Sequence, residues 1–245
     1  MYEDIYVIGN KLSLVDPNEI DKAEQQLGQK MPPGYQEFMT QLGRGTYCTW
    51  IELLLPQSVI QESKHWQEMW SQHWNRTSRN NTINKENIHE CLWIAKDNAN
   101  SLVHHPSQGK YFVIDRDDDD VPFVGSTLAE GLKALVANRH GYPLSIQYFT
   151  PDIDRFTEGL MLDEENPDEL ENIITTIQHL NLHDQFEIHE WGVNFFLKDI
   201  LGYLSIDYTG SDYVADINCD ESVKSHEKVE MLYQTLNELG FEEYY

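Results

Sequence analysis

Clustered carboxylates at Asp115-Arg116-Asp117-Asp118-Asp119-Asp120 are the residues of this chain best suited to metal chemistry, because a hard cation such as Ca²⁺ is bound by several carboxylate and carbonyl oxygens. Counted as an EF-hand loop from Asp115, the run fails twice. Its sixth position is Asp120, where the turn needs glycine, and its twelfth is Ser126, where a bidentate glutamate is needed. The acidic run sits between an apolar stretch at 111–115 and Val121-Pro122-Phe123-Val124. It therefore reads as the solvated tip of a hairpin, better suited to meeting a protein than to holding a metal.

The histidines and cysteines offer no stronger chemistry. His104 and His105 are adjacent, so their side chains diverge, and they lack the i, i+4 spacing of a helical zinc pair. His183 and His189 flank a strand-like stretch with Glu187 and Glu190, but His189-Glu190-Trp191-Gly192 has no second histidine to complete a metalloprotease motif. Cys48, Cys91 and Cys219 are far apart and show no zinc spacing, which fits a reducing compartment, and Cys48 and Cys91, on strand-like stretches among apolar neighbours, read as small buried hydrophobes. There is no phosphate-binding loop, dinucleotide fingerprint or nucleophile elbow. Gly43-Arg44-Gly45 is a helix stop. No catalytic residue, metal ligand or cofactor is expected.

The elements that would carry these residues follow from periodicity. Asp16-Pro17-Asn18-Glu19 is a helix start, with Ile20, Ala23 and Leu27 at helical spacing and Gly28 as the stop. After Met31-Pro32-Pro33, a second helix carries Tyr35, Phe38, Met39 and Leu42 on one stripe. Residues 46–55 read as a strand and 57–75 as a helix whose Trp66, Trp70 and Trp74 form an aromatic ridge for docking on a sheet. Short strands are expected at 91–95 and 111–115, and Thr127 with Glu130 forms a capping box for a helix bearing Leu128, Leu132, Leu135 and Val136. Residues 144–165 look irregular. Beyond them come a helix burying Leu170, Ile173, Ile174 and Ile177, strand-like runs from 186 to 217, and a last helix over about 222–239. The fold class is α+β, in two domains at 1–145 and 146–245. The second is a small α+β unit of helix, three or four antiparallel strands, and helix.

Charge bounds the partners. The chain carries 17 basic and 42 acidic residues, net −25. Residues 1–150 hold 13 basic and 19 acidic side chains, net −6, and residues 151–245 hold four and 23, net −19. Such a field repels nucleic acid and anionic lipid and draws in cationic proteins. Met1-Tyr2-Glu3-Asp4 is acidic with no apolar run behind it, and no stretch approaches the about 18 apolar residues of a membrane helix. A cytoplasmic location is expected, with neither nucleic acid nor membrane as partner.

Ile20, Glu24, Leu27-Gly28, Met31-Pro32, Tyr35, Phe38-Met39, Leu42 and Gly45, with strands near Trp93-Ile94-Ala95 and 111–115 and a helix after Ser126, make residues of about 13–140 resemble the SUKH superfamily. These are bacterial immunity proteins related to a fungal regulator of cell-wall synthesis. The pattern is a helix ending in Leu-Gly, a Leu-Pro turn, a Tyr-x-x-Phe helix and a closing glycine. Met31 replaces the usual leucine, and Asp97-Asn98-Ala99-Asn100 replaces a glycine-rich turn. The resemblance implies a mixed α/β fold with a mainly antiparallel sheet and a non-enzymatic protein that neutralises a toxin, such as a nuclease or deaminase, by direct binding. The partner is then a cognate toxin with a basic surface, met by Asp117, Asp118, Asp119 and Asp120 at the hairpin tip, and by Asp212, Asp216, Asp220 and Glu221 near the last strand. Two other readings stay open: a cytoplasmic scaffold that recruits regulatory partners, and a hydrolase using the acidic loop with a metal.

Overall fold

The computed structural model describes residues 2–9, 11–73, 82–115, 123–141, 143–152, 155–163, 169–189 and 191–243. The chain divides into two compact units: Met1–Tyr6 with Leu12–Asp152, and Val7–Lys11 with Ile153–Tyr245. The first contains β1 (Tyr6–Val7, at the division), α1 (Pro17–Leu27), α2 (Tyr35–Gln41), β2 (Gly45–Tyr47), β3 (Ile51–Leu53), α3 (Pro56–His73), β4 (Leu92–Lys96), β5 (Asn100–His105), β6 (Lys110–Asp115), β7 (Phe123–Gly125), α4 (Leu128–His140) and β8 (Tyr148–Pro151). Its eight strands form one sheet in the order β1-β8-β2-β3-β4-β5-β6-β7.

Local chemistry explains the helix starts and stops. The Asp16 side chain accepts the Asn18 amide at 2.8 Å, Pro17 occupies the first turn, and Gly28 ends α1 in the left-handed region. Glu24 bends the chain into α2: its carboxylate accepts the Met31 amide at 2.9 Å and the Lys30 ammonium at 2.5 Å, which fixes the Met-Pro turn. Tyr35, Phe38 and Met39 are buried as their spacing requires, and the Tyr35 hydroxyl donates to the Leu54 carbonyl at 2.6 Å. After α2, Gly43 has φ +81°, and a Cβ there would sit 2.1 Å from the Ser13 carbonyl oxygen. Gly43→Ala therefore combines a strained φ with a backbone clash, and we expect chemical denaturation to show a loss of at least about 2 kcal/mol.

The single strand expected over 46–55 is two strands. Between β2 and β3 the chain turns with Cys48 at φ 47° and Thr49 at φ 68°. The reason is tertiary: β8 lies beside β2, where the Cys48 amide donates to the Tyr148 carbonyl at 2.9 Å and the Thr49 and Tyr148 hydroxyls meet at 2.5 Å. A β-branched residue at positive φ costs on the order of 1 kcal/mol, and pairing with β8 offsets that cost.

Two devices close the rest of this sheet. At the β4–β5 turn the Asp97 carboxylate accepts the amides of Ala99 and Asn100, each at 2.7 Å, so an aspartate side chain does the work of a glycine-rich turn. Asn100, buried, accepts the Asn138 side chain of α4 at 2.8 Å. Asp97→Ala should cost about 2 kcal/mol, readable in urea unfolding, because two charge-assisted bonds go at once. The Thr127–Glu130 capping box is present at the start of α4.

The second unit contains β9 (Arg155–Asp163), α5 (Glu169–His179), β10 (Gln185–His189), β11 (Gly192–Leu197), β12 (Gly202–Tyr208), β13 (Asp212–Asp220), α6 (Glu227–Glu238) and β14 (Glu242–Glu243). Its six strands run β10-β11-β12-β13-β9-β14, each neighbouring pair antiparallel. This corrects two expectations. Residues 144–165 are not irregular, since β8 and β9 lie there, and the sheet has six strands instead of three or four. β9 has weak local strand preference, with Thr157-Glu158-Gly159 at its centre. It is held instead by pairing with β13 along its whole length, from Arg155 opposite Asp220 to Asp163 opposite Asp212. The last helix is also shorter than expected, being preceded by a separate 3-10 turn at Glu221–Val223.

Candidate functional site

Strand alternation divides the second unit's sheet into two faces. Along β13, Tyr213, Ala215, Ile217 and Cys219 are buried in a core shared with Ile173, Ile174 and Ile177 of α5 and Val229, Leu232 and Leu236 of α6. Asp212, Val214, Asp216, Asn218 and Asp220 lie half-buried on the opposite face. Register carries that outer face across the sheet: Asp216 is opposite Ser205 and Gly159, Ser205 is opposite Asn194, and Asn194 is opposite Glu187. One row along, His189 is opposite Gly192, Gly192 opposite Asp207, and Asp207 opposite Val214. A Cβ on Gly192 would lie 2.9 Å from Asp207 Oδ1, so glycine leaves room for His189 Nε2, which is 3.5 Å from that oxygen.

The face therefore collects carboxylates in a partly dehydrated setting. Burial, followed by the nearby Asp216 carboxylate, pushes the Asp207 acid up to about 6, outweighing the imidazole contact. Burial also raises Asp216. The unit has only five lysines and arginines, and three are engaged by their own neighbours. The Arg155 guanidinium donates to Asn218 Oδ1 and to the Ile8 carbonyl, Lys224 pairs with Glu221, and Lys228 pairs with Asp199. What this arrangement offers chemically is an anionic surface with few cations of its own.

Of the residues singled out in sequence, Asp212, Asp216 and Asp220 fall on this one face. Asp220 stands about 13 Å along the strand from Asp216 and caps the 3-10 turn, accepting the Ser222 amide at 2.9 Å and hydroxyl at 2.6 Å. Those bonds hold it below the usual carboxylate range. Glu221 lies in that turn, against Lys224. Asp117, Asp118, Asp119 and Asp120 lie outside the described residues, although the strands on either side of them, β6 and β7, do pair antiparallel. Asp207 was missed, and Glu187 and His189 were weighed only against a metal motif. Only the pairing register places these three on the same face as Asp216.

A second missed feature lies at the sheet's end. β10 is an edge strand. Phe186 and Ile188 share the helix-covered face with Phe195 and Val193, yet they remain 40% and 57% exposed, while Phe195 and Val193 are fully buried. Trp191, in the turn after β10, is 53% exposed.

The first unit brings together three residue types of a nucleophilic triad. Ser107 Oγ donates to Glu90 Oε2 at 2.8 Å and lies 3.1 Å from His105 Nδ1, itself 3.8 Å from Glu90. A proton relay needs the acid and the serine on opposite imidazole nitrogens. Here both approach Nδ1 and the hydroxyl is turned to the carboxylate, so the group ties the β5–β6 turn to Glu90. No described His, Cys, Asp or Glu side chains are grouped to hold a metal ion, and no described helix is long and apolar enough to cross a membrane. Cys48, Cys91 and Cys219 are free and buried, and burial pushes the Cys91 thiol up to about 12. All three should stay unreactive to Ellman's reagent in the native protein and titrate together on unfolding. Prompt reaction of any one would contradict the packing.

The first unit is thus a helix pair turning on Glu24 and leading into a mainly antiparallel sheet with the helix α4 near its end. Residues 14–134 match the SMI1 / KNR4 family (SUKH-1), so this stretch is a domain of that family, and the remainder of the chain is unassigned. None of the curated proteins matches the chain. The SUKH family is one of toxin immunity proteins, which bind toxins and are generally non-catalytic.

Proposed function

We propose that this protein is a non-enzymatic immunity protein of the cytoplasm that neutralises a cationic toxin, of nuclease or deaminase chemistry, by binding it directly. The observation that carries the reading is the SUKH-1 domain at residues 14–134 coupled in one chain to a unit with a large carboxylate surplus. A nuclease presents a basic groove to phosphates, and an anionic protein face competes for that groove by the same electrostatics. Asp207 and Asp216 add a specific reason. Each carries a dehydration cost in the free protein, and a lysine or arginine of the toxin placed beside them removes it. The Asp117–Asp120 tip and the Asp212, Asp216, Asp220 and Glu221 group are the contact residues of this reading.

The test is co-expression of the chain with the nuclease or deaminase toxin domain encoded beside its gene, scoring survival. Protected cells support the reading, and equal killing with and without the chain refutes it. Binding to several cellular proteins with protection against none would instead indicate a recruiting scaffold. In the complex, the triple variant Asp212→Lys, Asp216→Asn, Glu221→Lys should slow association about tenfold at low salt and by much less at high salt. Unchanged rates in stopped-flow mixing would remove the electrostatic part.

A further inference from the structure

We propose that the His226 imidazole is a pH-operated latch on the first turn of α6, closed while its Nδ1 is unprotonated and released when that nitrogen takes a proton. The latch belongs to the second unit's own fold and operates with or without a toxin.

A helix leaves the amides of its first turn without intrahelical acceptors, and the residue that caps them is ordinarily a serine, threonine, aspartate or asparagine, which accepts through oxygen. Asp16 before α1 and Thr127 before α4 follow that rule. α6 is capped otherwise. His226 stands at its N-cap in extended backbone, φ −71° and ψ 141°, and the ring Nδ1 accepts the Lys228 amide at 3.2 Å. That bond needs the lone pair on Nδ1, so the neutral ring carries its proton on Nε2. The side chain is half-buried, so water reaches it. A further proton makes both ring nitrogens donors. The Lys228 amide then loses its acceptor, and an imidazolium faces the positive end of the helix dipole.

The charged groups around the ring give the released state a place to go. Asp199, in the 3-10 turn Lys198–Ile200, binds the Lys228 ammonium, and that bond holds its carboxylate below the usual range, with His226 and Lys198 adding to the effect. In the turn before the helix, Glu221 and Lys224 pair with each other, and the His226 amide donates to the Val223 carbonyl at 2.9 Å. Glu227 and Glu230 lie in the first turn of α6 itself. A protonated ring therefore turns from the Lys228 amide toward the Asp199 carboxylate and shares it with the Lys228 ammonium. Opening stays local. Val229, the first buried residue of α6, is 2% exposed and sits at the loosened end, while Leu232 and Leu236 are fully buried further in and hold the rest of the helix in the core.

The experiment is nuclear magnetic resonance on the full, nitrogen-labelled chain, titrated from about pH 8 to about pH 5, the range in which an imidazole ordinarily changes charge. The His226 ring nitrogens should show the Nε2–H tautomer at the alkaline end, and the Lys228 amide shift should move with the same midpoint as the ring. Across that titration the exchange protection of the Lys228 amide should fall about fivefold, the size of an N-cap effect, while that of the Leu236 amide holds. His226→Asn supplies an oxygen acceptor that does not titrate, and should keep the Lys228 amide protected at both ends. Asp199→Asn should leave that amide responsive to pH, which separates the ring from the ion pair. These readouts are confined to α6, so the titration of His104 in the first unit does not enter them. An Nδ1–H tautomer at the alkaline end, a ring that takes no proton across the range, a Lys228 amide that ignores the ring's titration, or an undiminished pH response in His226→Asn would each overturn the proposal.

Discussion

Trp66→Ala should destabilise the first unit by about 3–5 kcal/mol, enough to remove much of the stability of a domain of this size. Trp66 is 1% exposed and anchors a cluster with Ile83, Ile88, Cys91, Val103, Phe112 and Ile114. Its ring lies 6.0 Å from Trp70 and 6.2 Å from Trp93, and its indole N–H donates to Ser101 Oγ at 3.2 Å. Truncation therefore opens a cavity between α3 and the β4–β5–β6 region and leaves the Ser101 hydroxyl without its donor. Trp66→Phe separates the two losses: it retains most of the volume, gives up the hydrogen bond, and should cost about 1–2 kcal/mol. Guanidinium titrations followed by near-ultraviolet dichroism check both values. A loss below about 1 kcal/mol for Trp66→Ala would mean that the ridge is a surface feature and not the support of the sheet.

Acidification should remove about 3 kcal/mol between pH 6.5 and pH 4 through His104 alone. His104 is 5% exposed, packs tilted against the Tyr111 ring with centroids 4.8 Å apart, and has no hydrogen-bond partner at either ring nitrogen. Burial, followed by His105, lowers it from 6.5 to about 4. The unfolded chain therefore takes up a proton below pH 6.5 that the native state refuses until about pH 4, so stability falls throughout that window and is whole above it. Asp207 works in the opposite sense. Its acid is raised to about 6, so the native state holds a proton that the unfolded chain has released, and stability contributed below about pH 4 is lost as pH rises through 6. With the Asp207 side chain about half exposed, screening keeps that contribution under about 1 kcal/mol, and Asp207→Asn should be slightly stabilising at pH 7. Urea midpoints at pH 7, 6, 5 and 4 should decline steeply in the wild type and less steeply in His104→Leu. Equal slopes would exclude His104 as the acid-sensitive group.

Local chemistry was sufficient for much of the first unit. The caps at Asp16 and Thr127, the stripe of Tyr35, Phe38 and Met39, and the stop at Gly43 each depend on residues a few positions apart, so their spacing in sequence is their spacing in space. The same local rules mislead where a distant strand decides. Cys48 and Thr49 turn left-handed because β8 accepts and donates at that point, and β9 is a strand because β13 pairs with all of it.

By itself, the sequence determined the helix boundaries of the first unit, the family resemblance those boundaries carry, the burial of Cys48 and Cys91 and the concentration of negative charge after residue 150. Tertiary structure alone decided which carboxylates share a face. It set Asp207, from β12, diagonal to Asp216 on β13, and it left Phe186 and Ile188 uncovered at a sheet edge. The reason is that side-chain alternation assigns a residue to a face only after strand order and register are known, and both depend on pairings between residues far apart in the chain.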